Sequence, residues 1–194
     1  MIELSKGSGK MEGLYSINTN PLNNEYCKYM SNIDSNICSK CYSKRMLKSF
    51  RKSCVKRFTS NGYALSSSLL MERDIPSINS KVIRINSHGE LINDIHWENL
   101  KGICNYNRNT LFVLFTKRHE LIDNKPYNMK IVYGNPIIDL PTTIVPHECD
   151  MVYNVVTKDY ALDNGIDINC SGKCKDCMKC YTWNDITTIY SLVK

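Results

Sequence analysis

The chain has 194 residues, 42% of them hydrophobic, and its 25 Lys and Arg against 19 Asp and Glu leave a net charge of +6. That is enough apolar content to bury one core, while the longest apolar run, Leu111 to Phe115, falls far short of the roughly 20 residues of a membrane span. The mild positive charge favours an anionic ligand or nucleic acid without requiring either.

Met1 to Lys6 lack the apolar core and cleavage site of a secretory signal, so the expected setting is the reducing cytoplasm. There, ten cysteines speak for metal rather than for a disulfide framework. Lys6-Gly7-Ser8-Gly9-Lys10 lacks the preceding strand and glycine spacing of a phosphate loop. Leu14 to Asn18 predicts a first strand, and the Asn/Pro-rich run from Thr19 to Asn24 predicts a loop that delivers the first cysteines. From Ser39 to Leu70 the residues Met46, Leu47, Phe50, Cys54 and Phe58 recur near helical spacing, with Asn61-Gly62 as the expected break between two helices. Lys44, Arg45, Lys48, Arg51, Lys52, Lys56 and Arg57 are expected on the solvated outer face.

Lys81 to Asn86 reads as a β-branched strand running into Ser87-His88-Gly89-Glu90. Trp97 to Tyr106 predicts a helix, Thr110 to Thr116 a buried strand, His119 to Asn124 a short helix and Met129 to Tyr133 a strand. Thr142 to Val145 and Met151 to Thr157 add strands before a final segment, Trp183 to Val193. The alternation of strand and helix indicates an α/β fold with a parallel sheet and ligands at its carboxyl edge.

The strongest chemical signal is Cys170, Cys174, Cys177 and Cys180, four thiols within eleven residues. Four thiolates satisfy tetrahedral zinc or a four-iron cluster, and the compact spacing favours iron and sulfur, with zinc as the other occupant of this C-terminal site. Cys27, Cys38 and Cys41 supply three thiols, which leaves one coordination position open, as in catalytic rather than structural centres. Cys54, Cys104 and Cys149 read as core or incidental cysteines. His88 reads as a strand-end histidine held by local hydrogen bonds, and the four histidines form no spaced pair of the zinc-enzyme kind.

Cys38-Ser39-Lys40-Cys41-Tyr42-Ser43-Lys44, Ile83 to Glu90, Phe115-Thr116-Lys117-Arg118 and Cys174 to Tyr181 occur in one order along the chain. In that order they resemble the radical S-adenosylmethionine (SAM) superfamily, and more narrowly the phage and plasmid "gene product eighty-eight" family. The resemblance implies a partial (β/α) barrel of mostly parallel strands over residues 1–160, followed at 161–194 by a cysteine-rich metal-binding extension. It implies a [4Fe-4S] cluster on Cys27, Cys38 and Cys41, with SAM on the open iron, and an auxiliary cluster at the C-terminal site. Glu90, with Gly89 in the same loop, would accept hydrogen bonds from the SAM ammonium, and Asn86, Ser87, Thr116 and Asn135 would contact the rest of the molecule. Ten residues separate Cys27 from Cys38, where the superfamily has three, so an irregular loop must carry Cys27 back.

This reading expects a cytoplasmic enzyme that cleaves SAM reductively, served by an electron donor such as a flavodoxin or ferredoxin. The alternative is a zinc protein that binds nucleic acid or acts as an adaptor, with two structural cysteine sites and phosphate contacts along Lys44 to Arg57.

Overall fold

The computed structural model describes residues 2–193. At its centre is a seven-stranded sheet whose strands lie side by side in chain order. β1 (Ser5–Lys6) pairs antiparallel with β2 (Tyr15–Ile17). All later neighbours are parallel: β3 (Val82–Ile85), β4 (Leu111–Thr116), β5 (Met129–Gly134), β6 (Met151–Val156) and β7 (Thr188–Leu192). The fold is α/β, and the sheet is open, with β1 and β7 at its two edges.

Among the described residues six α-helices accompany it: α1 (Glu25–Met30), α2 (Tyr42–Lys48), α3 (Cys54–Ser67), α4 (Asp94–Tyr106), α5 (Lys158–Asp163) and α6 (Cys174–Cys177). Right-handed crossovers between strands in sequential order carry their helices to one face of the sheet. On that face Ile83, Ile85, Phe112, Leu114, Met129 and Ile131 pack with Leu65 of α3 and with Trp97, Leu100, Ile103 and Cys104 of α4. The alternate residues Val113 and Val132 turn to the opposite face, because side chains along a strand point to opposite sides. There they meet Met151, Ile189, Leu14 and Tyr181, with Cys170, Cys174, Met178 and Cys180 packed against them.

A parallel sheet needs both faces covered. The C-terminal cysteine segment is therefore the lid of the second face, and β7 joins this part of the chain to the same sheet as the rest. Each buried Val, Ile or Met on that face contributes about 1.5 to 3 kcal/mol of burial.

Two expectations need correction. The break in the long helical stretch falls at Ser49–Ser53, not at Asn61-Gly62, which lie inside α3. Asn61 is fully buried: its Nδ2 donates to the carbonyls of Glu3 and Asn18, and its Oδ1 accepts from the Glu3 amide at 2.9 Å. A residue that looks like a breaker thus ties α3 to the first strands. Thr142–Val145 has no regular secondary structure and joins no strand of the sheet. Asn154 takes the place of a partner there, accepting from the Thr142 amide at 3.1 Å and donating to its carbonyl at 2.8 Å. α4 begins earlier than its apolar pattern, at Asp94, because Asn93 caps it by accepting from the His96 amide at 3.0 Å.

Candidate metal and cofactor site

The loops after β3, β4 and β5 rim a cavity of about 300 Å³ that continues over the second face of the sheet. This is the lower end of the range for small-molecule sites, at the carboxyl edge where parallel sheets place them. The structure brings Cys27, Cys38 and Cys41 to this cavity, and with them Cys170, Cys174, Cys177 and Cys180. Asn86, Ser87, Gly89, Glu90, Thr116 and Asn135 line it as well. Cys104 is instead fully buried in α4, Cys149 packs on the helix-side core, and Cys54 sits at the start of α3, where Arg57 Nη2 lies 3.7 Å from its sulfur.

Hydrogen bonds from asparagines fasten the first cysteine group. Asn24 caps α1 by accepting from the Cys27 amide at 3.1 Å, while its Nδ2 donates to the carbonyls of Glu90 and Leu91. One buried amide thereby joins Cys27 to the Glu90 loop. Asn36 accepts from the Cys38 amide at 2.9 Å. Its neighbours are pinned to the loop after β5, through Ile37 N to Pro136 O at 2.8 Å and Ile138 N to Ser35 O at 3.1 Å. Lys44 of α2 closes the loop, donating to the Cys27 carbonyl at 2.9 Å and to Ser31 Oγ at 2.6 Å. These contacts carry Cys27 back across its ten-residue separation from Cys38. They also take Lys44 out of the solvated basic face, as does Arg51, which reaches Ser8 Oγ at 2.7 Å.

Burial raises the Cys27 thiol above its ordinary value, and the charges of Glu90, Cys38 and Cys41 raise it further. Burial likewise raises Cys38, partly offset by Lys117. The three thiols and Glu90 therefore sit within one another's fields, with the Lys117 ammonium among them. Burial alone would lower the Lys117 pKa, but those neighbours raise it overall.

Glu90 is almost fully buried at 4% exposure. Its Oε1 accepts from Thr116 Oγ1, from the Leu91 amide at 2.8 Å and from Asn86 Nδ2 at 3.5 Å, and its Oε2 accepts from the Lys117 amide at 2.9 Å. Burial raises its pKa against the pull of Lys117 and these donors. Gly89, at φ +89°, has no room for a side chain, since a Cβ would collide with Thr19. That close approach accompanies the bond from the Thr19 amide to the His88 carbonyl at 3.1 Å.

His88 faces Ser43 Oγ through Nδ1 at 2.7 Å and packs against Phe58. Burial lowers its pKa to about 4, with Arg51 and Arg84 adding to the effect, so it is neutral near pH 7. Thr116 and Asn135 line the cavity with their side chains already engaged. Thr116 Oγ1 serves Glu90 and the Arg118 amide, and the Asn135 amide holds Leu140, Asn154 and Ile137 in the loop that seats Cys38. Both are positioning residues in this geometry.

The second cysteine group is held by packing. Tyr181, 1% exposed, directly follows Cys180 and anchors the segment on the sheet. Burial pushes the Cys180 thiol up to about 12 against the pull of Arg84. Cys170 ends below its ordinary value: burial raises it, but hydrogen bonds from the Tyr153 hydroxyl at 3.4 Å, from the Gly172 backbone and from Ser191 outweigh that.

Among the described residues, no three His, Cys, Asp or Glu side chains are already drawn into metal-ligand geometry. A metal that binds thiols displaces their protons as the ligand shell forms. Three buried polar atoms on the cavity lining, Arg84 Nε, Asn86 Oδ1 and Ser87 Oγ, have no hydrogen-bond partner. Such atoms cost about 1 to 3 kcal/mol each, so their grouping in one cavity points to a polar ligand. Asn86 also stands in the left-handed region at φ 60°, the kind of strain that concentrates at functional sites.

Sequence reasoning assigned no role to Lys117 or Arg84. Arg84 carried a signal, a cation inside an otherwise apolar parallel strand. Lys117 carried only its place one residue past a strand end. No family model, curated protein or solved structure matches this chain.

Proposed function

We propose that this chain is an iron-sulfur protein of the radical SAM type, related to the phage and plasmid "gene product eighty-eight" family and working in the cytoplasm. The observation that carries this reading is the convergence of a three-thiol group, a four-thiol group and the Glu90 loop on one cavity at the carboxyl ends of parallel strands. Sequential parallel order is also the winding of a (β/α) barrel, here open after seven strands.

The donor set fits the group. Cys27, Cys38 and Cys41 supply three soft ligands to a [4Fe-4S] cluster and leave one iron without a cysteine. Such a cluster, when bound, supplies one electron and an open iron that SAM chelates. The chain's own residues do the rest. Among the described residues Glu90 Oε2 accepts only the Lys117 amide, so it keeps acceptor capacity for an ammonium. Asn86 Oδ1 and Ser87 Oγ, unpartnered in the lining, supply an acceptor and a hydroxyl for the polar remainder of SAM. Lys117 offsets the negative charge of the thiolates and Glu90. The lid formed by the C-terminal segment excludes water from one wall, as radical chemistry requires.

Cys170, Cys174, Cys177 and Cys180 hold an auxiliary cluster or a zinc ion that staples this lid to the sheet. The zinc-protein alternative needs a continuous basic face. Here the Lys44 to Arg57 stretch is interrupted at Ser49–Ser53, and Lys44 and Arg51 are turned to internal partners.

The test is turnover of SAM by anaerobically purified, dithionite-reduced protein. The expected product is 5′-deoxyadenosine, lost in Glu90→Ala. Iron-loaded protein that forms none would overturn the reading.

A further inference from the structure

We infer that the substrate carries an oxyanion, a carboxylate or a phosphate, which seats on Arg84 at the floor of the cavity. The word substrate rests on the function proposed above; the anion site stands on its own geometry.

Arg84 lies on β3 between Ile83 and Ile85, whose side chains face the helices, so its own side chain turns to the opposite face. Its guanidinium stacks 4.0 Å from the centroid of the Phe115 ring. Nη1 donates to Tyr181 Oη at 2.7 Å and approaches Met11 Sδ at 3.7 Å. The group is thus fixed on two sides, and an oriented guanidinium loses little freedom when it takes a partner.

What it lacks is an acid. Among the described residues no carboxylate forms an ion pair with Arg84, although seven such pairs occur elsewhere. Its Nε is buried without a hydrogen-bond partner. A half-buried guanidinium whose Nε is shut off from water, with no carboxylate paired to it, carries a desolvation cost that an incoming anion offsets.

The rest of the lining agrees in sign. Lys10, Lys40, Lys117, Lys173 and Lys179 join Arg84 around the cavity, and Glu90 is the single carboxylate among the described lining residues. This excess of cationic side chains over carboxylates draws anions inward. Arginine is the side chain suited to carboxylate or phosphate, because its fork matches two oxygens at once. Tyr42, next to the first cysteine group, and Cys174 of the second both act electrostatically on Arg84. An oxyanion held there places the substrate between the two groups.

The experiment is thermal unfolding of the anaerobically purified protein in inorganic phosphate or acetate, each at tens of millimolar and compared with chloride at equal ionic strength. Iron and zinc are measured on every sample. Wild type should gain about 3 °C in Tm with one of these anions, and the anion giving the larger shift identifies the oxyanion. Arg84→Met should abolish the gain with metal content unchanged, and Arg84→Lys should at least halve it. Three results would overturn the inference: equal Tm in all three salts, a full gain retained in Arg84→Met, or loss of C-terminal metal in Arg84→Met, which would make the guanidinium a counter-ion of the thiolates. If Arg84→Met does not fold, Arg84→Lys decides, because a full gain there rules out recognition by the fork. Protein that cleaves SAM yet ignores both anions would sink this inference alone, whereas protein that binds an anion through Arg84 but forms no 5′-deoxyadenosine would sink only the proposed function.

Discussion

The two cysteine groups face each other across one cavity but are held there by different forces. Neither α1 nor the turn at Ile37–Lys40, which carry Cys27 and Cys38, contains a fully buried residue; both are tied down by asparagine caps and by Lys44. The C-terminal group is packed into the apolar cover of the sheet, with Cys170, Cys174 and Cys180 against Val113, Val132 and Ile189. A directional fastening leaves the thiols at a rim, where an open coordination position can be reached. The thiols of both groups are half-buried, but the second group flanks the fully buried Tyr181 of the apolar cover, so damage there falls on the fold first.

That contrast can be broken most sharply at the ligands. Cys41→Ala should remove about half the iron and all SAM cleavage, while Cys177→Ala should spare the SAM-binding cluster. Retained cleavage in the Cys41 variant would assign the chemistry to the wrong group. Stability should divide the other way. Tyr181→Ala empties a fully buried aromatic site and should cost about 3 to 5 kcal/mol in urea unfolding, against less than about 1 kcal/mol for Cys41→Ala, at a half-buried site outside both apolar clusters. Equal losses would erase the distinction between rim and lid.

Gly89→Ala comes next, expected to cost about 1 to 3 kcal/mol from positive φ and from the clash with Thr19. It should displace Glu90 and so weaken SAM binding more than C-terminal metal content, a difference that equilibrium dialysis would detect. The smallest effect belongs to Asn24→Ala, about 1 kcal/mol for a lost helix cap. Because Asn24 also joins Cys27 to the Glu90 loop, first-site iron should fall in this variant while the second site keeps its metal.

Much of this was legible in the sequence, and the rest fails for identifiable reasons. β3, β4, β5 and β6 are apolar runs that announce themselves locally, and closely spaced cysteines need no fold to be noticed. Asn61 and the segment Thr142–Val145 were misread because the partners that decide them lie far along the chain, Glu3 for Asn61 and Asn154 for Thr142. Nothing local distinguishes an asparagine that breaks a helix from one that bonds a distant strand. The lid role of Cys170 to Tyr181 was equally hidden, since it depends on which face of the sheet remains uncovered once the helices have packed. Arg84 and Lys117 acquire meaning only from what the strand order brings beside them.

What the two groups of thiols hold decides the chemistry of this protein. The direct measurement is the visible spectrum of anaerobically purified protein, with iron, sulfide and zinc determined per chain. The prediction is a brown protein with about eight irons and eight sulfides, or about four of each plus one zinc where the C-terminal site takes that metal. A colourless protein carrying two zinc ions per chain would contradict it.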